Sequence, residues 1–156
     1  MNIDIRGYHG TIENLDELLN EIKGFPCTVQ LIDARAVAGS GHALHGTLHA
    51  LRAFERNQNI SGDPGIEICL RIAGTRQISR ALELLGVREG EMGICAILVD
   101  CGADVQEFLD SRFQRDDTVL EPDEDYLRNL YDLGEEVETV GVENALMERT
   151  TMLQVL

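Results

Sequence analysis

The sequence is poor in aromatic residues and contains no long apolar run. Of its 156 residues, 4% are aromatic and none is tryptophan, whereas 44% are hydrophobic. We therefore expect one domain with a core of Leu, Ile, Val and Ala. No run approaches the roughly 18 apolar residues of a membrane span, and residues 1–5 show neither a basic stretch nor an apolar signal segment. These absences predict a soluble, cytoplasmic protein without a membrane partner.

The four cysteines, Cys27, Cys69, Cys95 and Cys101, form no CxxC pair. Three of them lie in apolar runs typical of buried strands, where cysteine behaves as a small hydrophobic residue. The pattern predicts reduced thiols in or near the core, and it argues against a zinc site or a disulfide framework.

Positive charge is scarce and unevenly distributed. The net charge is −15, with Lys23 as the only lysine beside twelve arginines. Since phosphate contacts supply most nucleic-acid affinity, this charge argues against a nucleic-acid binder. Residues 35–80, however, contain six arginines and three acids, whereas residues 100–138 contain fourteen acids and three arginines. The distribution predicts a basic patch on an acidic body, and the acidity itself suggests adaptation to a salt-rich cytoplasm.

Periodicity and turn residues predict a single α/β (α+β) domain over residues 1–156, with a mixed, largely antiparallel sheet flanked by helices. Strands are expected at residues 1–5, 27–33, 66–73 and 92–99. Helices are expected at residues 15–23, 42–57, 77–85, 103–113, 122–130 and 142–153. Asn14 is the predicted cap of the first helix, and Pro122 is placed at the first position of the fifth.

Two motifs could support chemistry at the second helix. The spacing of His42, His45 and His49 can point three imidazoles in one direction toward a metal ion. No HExxH pattern or nearby carboxylate supports a metal site, so we favour surface or packing roles for these histidines. Gly39-Ser40-Gly41 could present backbone amides to a phosphate, yet it lacks the rest of a P-loop. We favour a turn that leads into the helix, with Ser40 as the helix cap.

The sequence contains no signature of a catalytic nucleophile. We therefore predict a non-enzymatic protein without cofactor or metal.

The most informative cluster surrounds the Gly74-Thr75 corner. Arg71, Arg76, Gln77 and Ile78 could bind anionic or base-edge acceptors and pack against a base. The alternative is that the arginine at the helix start is solvated or paired with Glu67 or Glu83.

Seven segments resemble the small regulatory subunit of the KEOPS complex (the CGI-type or TPRKB family), in its archaeal version. They are residues 34–39 (ARAVAG), 42–44 (HAL), 50–54 (ALRAF), 59–61 (NIS), 67–68 (EI), 73–78 (AGTRQI) and 147–153 (MERTTML). The resemblance covers most of the chain. It implies an α/β fold and a subunit without catalytic activity of its own. Such a subunit binds the kinase-like ATPase of the complex and is linked to the other subunits only indirectly. It also recruits tRNA, through the 3′ CCA end, for threonylcarbamoyladenosine modification.

Matched to this family, Arg76-Gln77-Ile78 and Asn59-Ile60-Ser61 become the candidate RNA-binding residues. Arg71, Arg52 and Arg56 are added as positive charge from the sequence itself. The kinase-binding surface could come from Ile78, Leu82 and Leu85, or from Leu146, Met147 and Leu153, unless these residues belong to the core. Two alternatives stay open: a structural adaptor without RNA contact, and a small-molecule or metal-dependent enzyme that uses His42, His45 and His49 or the Gly39-Ser40-Gly41 turn.

Overall fold

A computed structural model describes residues 1–154. Its sheet has four strands in the order β2-β3-β1-β4, and every pairing is antiparallel. The strands are β1 (Ile3–Ile12), β2 (Thr28–Asp33), β3 (Gly90–Val99) and the two-residue β4 (Gln114–Arg115). The predicted α/β domain with a largely antiparallel sheet is therefore confirmed.

Eight α-helices and two short 3₁₀ turns accompany the sheet in the described residues. The helices are α1 (Leu15–Lys23), α2 (Ser40–Glu55), α3 (Pro64–Ala73), α4 (Ile78–Leu85), α5 (Ala103–Arg112), α6 (Glu124–Leu130), α7 (Glu136–Val140) and α8 (Val142–Met152), and the 3₁₀ turns are Ala34–Ala36 and Asp117–Leu120. Across residues 1–154, none of the helices combines the length and apolarity needed to cross a membrane.

The two faces of the sheet carry separate halves of the core. Side chains alternate along β3, so Ile94 and Leu98 pack with α1 and α5 on one face. Ile97 and Val99 pack with α2, α3, α4, α6 and α8 on the other face. The larger helical layer is the one that carries the arginine-rich segment of the chain.

Residues 66–73 form a helix, so the predicted strand is wrong. Asp63 caps α3 by accepting a hydrogen bond from the Ile66 amide at 3.0 Å, Pro64 lies in the first turn, and Gly74 ends the helix in the left-handed conformation at φ 69°. Almost every residue of α3 is buried, so the run has no exposed face that would reveal a helical period. A short apolar run of this kind has the same pattern as a buried strand.

The helix boundaries differ elsewhere by a few residues. Asn14 caps α1 as predicted, with its side chain accepting from the Glu17 amide at 3.0 Å. Pro122 lies before α6 and not at its first position, because Asp123 is the cap and accepts from the Tyr126 amide at 3.1 Å. The first strand extends to Ile12, and the short helix α7 was not predicted.

Two of the four cysteines are bonded, which corrects the prediction of four thiols. Cys27 and Cys101 form a disulfide with their Cα atoms 5.3 Å apart, whereas Cys69 and Cys95 are buried thiols. Thr28 pairs with Val99 in the β2–β3 ladder, so the residues just outside this pair meet at the same end of the sheet. The sequence did not show this proximity because the two cysteines are 74 residues apart.

Candidate functional site

Four arginines surround one cavity at the end of the larger helical layer. Arg52 and Arg56 lie on and just after α2, Arg71 lies on α3, and Arg76 follows the corner between α3 and α4. The cavity has a volume of about 230 Å³, and its other lining residues are Ala53, Gln58, Leu153 and Gln154. We call it the arginine cleft. The basic patch predicted from residues 35–80 thus includes a localised concave site.

Arg71 forms the buried part of this cleft. Its side chain is only 4% exposed, and its Nε donates to Glu67 Oε2 at 2.7 Å. Its Nη2 donates to the backbone carbonyl of Gln58 at 3.1 Å. Arg71 is thus paired with a glutamate, as is Arg80, whose Nη1 lies 3.4 Å from Glu83 Oε1.

Arg76 is exposed, as an RNA contact requires, but one of its donors is already engaged. Its Nη2 donates to the Leu153 carbonyl at 2.8 Å, which attaches the end of α8 to the cleft. Gln77 and Ile78 are exposed beside it at the start of α4, and the Gln77 side chain makes no capping hydrogen bond there. Arg76 joins the cleft, whereas Gln77 and Ile78 lie next to its lining.

The segment after α2 contributes Gln58 rather than Asn59 to the cleft lining. The Asn59 side chain donates to the Ser61 carbonyl at 3.0 Å and so stabilises its own turn. Glu67 Oε1 accepts from the backbone amides of Ile60 at 2.8 Å and Ser61 at 2.7 Å. Sequence reasoning missed Gln58, Gln154 and the organising role of Glu67; the one available signal was Glu67 four residues before Arg71, a helical ion-pair spacing.

Two of the three histidines, His45 and His49, lie together with ring centroids 4.4 Å apart, whereas His42 makes separate contacts in the core. His42 is fully buried; its Nδ1 accepts from the Ala38 amide at 3.0 Å, and its Nε2 lies 2.9 Å from the Ile72 carbonyl. Burial lowers the pKa of His42 to about 4. His45 contacts the Thr151 hydroxyl at 3.1 Å, and His49 contacts the Gln154 side chain at 2.6 Å. The described residues contain no group of three or more His, Cys, Asp or Glu arranged to hold a metal ion.

The pKa of His49 is affected by the arginines of the cleft. Its pKa is lowered to about 4, first by burial and then by the neighbouring side chains of His45, Arg52, Arg71 and Arg56. Arg71 is paired with the Glu67 carboxylate, so the excess positive charge of the cleft comes from Arg52, Arg56 and Arg76. The cleft is thus locally cationic within a protein of net charge −15.

The Gly39-Ser40-Gly41 turn is already faced by a carboxylate. A methyl group added at Gly39 would lie 3.0 Å from Glu143 Oε2, and one added at Gly41 would lie 3.1 Å from Glu143 Oε1. An anionic phosphate would meet like charge at this position. Gly39, at φ 90°, occupies the cap position without a side-chain hydrogen bond, so the predicted cap by Ser40 is wrong.

Exposure separates the apolar residues that could form a protein interface from those that belong to the core. Leu85, Leu146 and Leu153 are buried and belong to the core, whereas Ile78 and Leu82 are 40% and 42% exposed. Met147 is half-buried and lines a groove of about 380 Å³ along α8 together with Val140, Asn144, Glu148, Thr151 and Met152. We call this the α8 groove; Met152 within it is 52% exposed.

A cationic cleft and an exposed apolar groove on an acidic α/β body are the features of a small binding protein. The chain belongs to the family of the kinase-binding protein CGI-121, which it matches over residues 10–153. It is 30% identical over 152 residues to the regulatory protein Cgi121 of Methanocaldococcus jannaschii, covering 92% of this chain and 96% of that protein. It is 31% identical over 86 residues to the KEOPS complex subunit Cgi121 of Pyrococcus abyssi, covering 54% of this chain and 50% of that protein. The resemblance inferred from the seven sequence segments is confirmed.

Proposed function

We propose that this chain is a non-catalytic subunit of a KEOPS complex that binds the kinase-like ATPase subunit and recruits tRNA through its 3′ CCA end. Membership in a kinase-binding family and similarity to a KEOPS subunit support the assembly. The observation that supports the RNA role is the arginine cleft, where four arginines meet in a protein of net charge −15.

The size and surroundings of the cleft favour a short single-stranded end over a duplex. A duplex presents a dense, extended array of phosphates, which the acidic surface beyond the cleft would repel. A flexible 3′ end can enter a small cavity, where arginines hold its phosphates and the amide groups of Gln58 and Gln154 can meet base edges. Ile78, exposed beside Arg76, offers an apolar surface for a base.

The RNA role is tested by charge reversal inside and outside the cleft. Arg76→Glu should weaken binding of intact tRNA by at least about tenfold, because it replaces an attraction for phosphate by a repulsion. Arg80→Glu is the matched control, since Arg80 is also exposed and close in sequence but lies outside the cleft lining. Both variants and the wild type are measured with tRNA that has or lacks its CCA end, at low and moderate salt, alone and with the kinase-like subunit.

Preferential loss of binding in Arg76→Glu, restricted to intact tRNA, would support the proposed role. Equal, negligible binding by all three proteins in every condition, also with the kinase-like subunit present, would remove the RNA role. The structural adaptor without RNA contact would then be the remaining function.

For the kinase-like subunit we favour the α8 groove over the exposed residues of α4. Ile78 and Leu82 lie on the helix that begins beside Arg76 and so adjoin the proposed RNA site. The α8 groove offers apolar surface at Val140, Met147 and Met152 and shares no lining residue with the cleft, although Met152 directly precedes Leu153 of the cleft lining. Exposed apolar patches of this kind are typical of protein interfaces.

Met152→Glu should reduce co-purification with the kinase-like subunit, because it places a charge in the apolar groove. Leu19→Glu is the control, since Leu19 is 37% exposed on α1, which packs on the opposite face of the sheet. Undiminished co-purification of Met152→Glu, or equal loss in both variants, would exclude the α8 groove as the interface.

A further inference from the structure

One buried carboxylate connects two of the parts that shape the arginine cleft, helix α3 and the segment after α2. Glu67 is fully buried on α3. Its Oε1 accepts from the amides of Ile60 and Ser61, at 2.8 and 2.7 Å, and its Oε2 accepts from Arg71 Nε at 2.7 Å. Both oxygens are thus engaged, one with the segment after α2 and the other with a cleft arginine.

Arg71 is in turn held at two nitrogens. While Nε is bound to Glu67, Nη2 donates to the Gln58 carbonyl at 3.1 Å. Gln58 itself lines the cleft together with Arg71. Two fixed partners define the plane of the guanidinium, so Arg71 is pre-organised in a way that Arg52 and Arg56, exposed at the surface, are not.

A buried ion pair is an expensive way to stabilise a fold. Desolvation of both charges often cancels their attraction, and replacement by uncharged side chains of similar size is frequently neutral for stability. The contacts of Glu67 instead concentrate on residues that line or adjoin the cleft. The arrangement is therefore better explained by what it holds in place than by the energy it adds.

We infer that Glu67 is the positioning residue of the arginine cleft: it fixes the Arg71 guanidinium in the cleft lining and the 58–61 segment beside it, so that the cleft recognises the RNA end. This inference rests on the proposed RNA role of the cleft. Glu67 acts through Arg71 and the backbone and does not itself contact the RNA.

The test separates positioning from stability with the double variant Glu67→Gln/Arg71→Met. The introduced glutamine keeps a side-chain carbonyl that can accept from the amides of Ile60 and Ser61, and the introduced methionine fills the apolar part of the space left by Arg71. We therefore expect folding and thermal unfolding close to wild type. Binding of intact tRNA should fall about tenfold or more, as expected for losing a hydrogen-bonding charged group. Because the double variant also removes the Arg71 charge, the single variant Glu67→Gln, which keeps that charge, isolates positioning. It should weaken binding of intact tRNA several-fold with an unchanged dependence on salt, whereas a purely structural Glu67 predicts wild-type binding once the fold is retained.

Arg71→Lys provides a second measurement if the double variant does not fold. It keeps the charge and a pairing with Glu67 but loses the planar fork that also reaches the Gln58 carbonyl. We expect several-fold weaker binding of intact tRNA with an unchanged dependence on salt, because the number of neutralised phosphates stays the same.

Wild-type affinity in the folded double variant, or in Arg71→Lys if the double variant is unfolded, would overturn the inference. Arg76→Glu is measured in parallel. If Arg76→Glu loses binding while the Glu67 and Arg71 variants do not, only the positioning role of Glu67 fails. If the wild type itself does not distinguish intact tRNA from tRNA without its CCA end, the proposed RNA role fails.

Discussion

The Cys27–Cys101 disulfide should contribute a large share of the stability of this chain. The bond joins the start of β2 to the segment after β3 and closes a loop across 74 positions of sequence. In the chain-entropy description, a bond of this span destabilises the unfolded state by about 4 kcal/mol, between about 3 for a 15-residue loop and about 4.7 for a 100-residue loop. Since whole domains are stable by only about 5–15 kcal/mol, removing the bond should be readily measurable.

The perturbation is the double substitution Cys27→Ser/Cys101→Ser. Both cysteines are partly exposed, so serine can be accommodated in their place. Unfolding in urea is followed by circular dichroism, because the chain contains no tryptophan to serve as a fluorescent probe. We expect the free energy of unfolding to fall by about 2–4 kcal/mol, and wild-type protein treated with reductant to fall to the same value.

A thiol count provides the independent check. Burial raises the pKa of both Cys69 and Cys95 to about 12, so these thiols resist reaction in the folded state. Denatured protein without reductant should therefore show two reactive thiols, and denatured, reduced protein should show four. Four thiols without reductant, or equal stability of the variant and the oxidised wild type, would refute the stabilising bond.

Two further predictions concern the helical layer. His42 has a pKa of about 4 when folded, against about 6.5 unfolded, so between these values the unfolded chain binds a proton that the folded protein does not. Stability should then fall as the pH drops through this window, by at most about 3–4 kcal/mol from His42, and His42→Gln should show a shallower decline in urea titrations at pH 4–7. Gly46→Ala should destabilise by about 1–3 kcal/mol, because a Cβ there would overlap Ile72 of α3, whereas Gly62→Ala, with no atom within 4 Å, should unfold as wild type in the same assay.

The sequence predicted most elements because their signals are local. Asn14 marks the start of α1, and a continuous apolar run at residues 92–99 marks the buried strand β3, so both elements were expected from neighbouring residues alone. The error at α3 has the same origin, since burial on nearly all sides removes the polar face by which a helix is recognised. The Asp63-Pro64 start and the Gly74 end were present in the sequence as local signals for the correct assignment.

The candidate site was only partly predictable because it depends on contacts between distant segments. Counting charge in residues 35–80 drew attention to six arginines; four of them line the cleft, whereas Arg35 and Arg80 do not. It could not indicate Gln154, which reaches the cleft because α8 packs against α2 and α3. Nor could it distinguish Arg71, fixed by Glu67, from Arg56, which is exposed.

The acidity of the chain, which first argued against an RNA role, is consistent with a selective one. Arginine attraction at the cleft and repulsion by the remaining surface both increase as salt is lowered, because screening weakens. For a nucleic acid that lies along the surface the two effects oppose each other, whereas a short end inside the cleft experiences mainly the attraction. A net charge of −15 should therefore suppress non-specific binding more than binding of a 3′ end, and the discrimination between the two should increase at low salt.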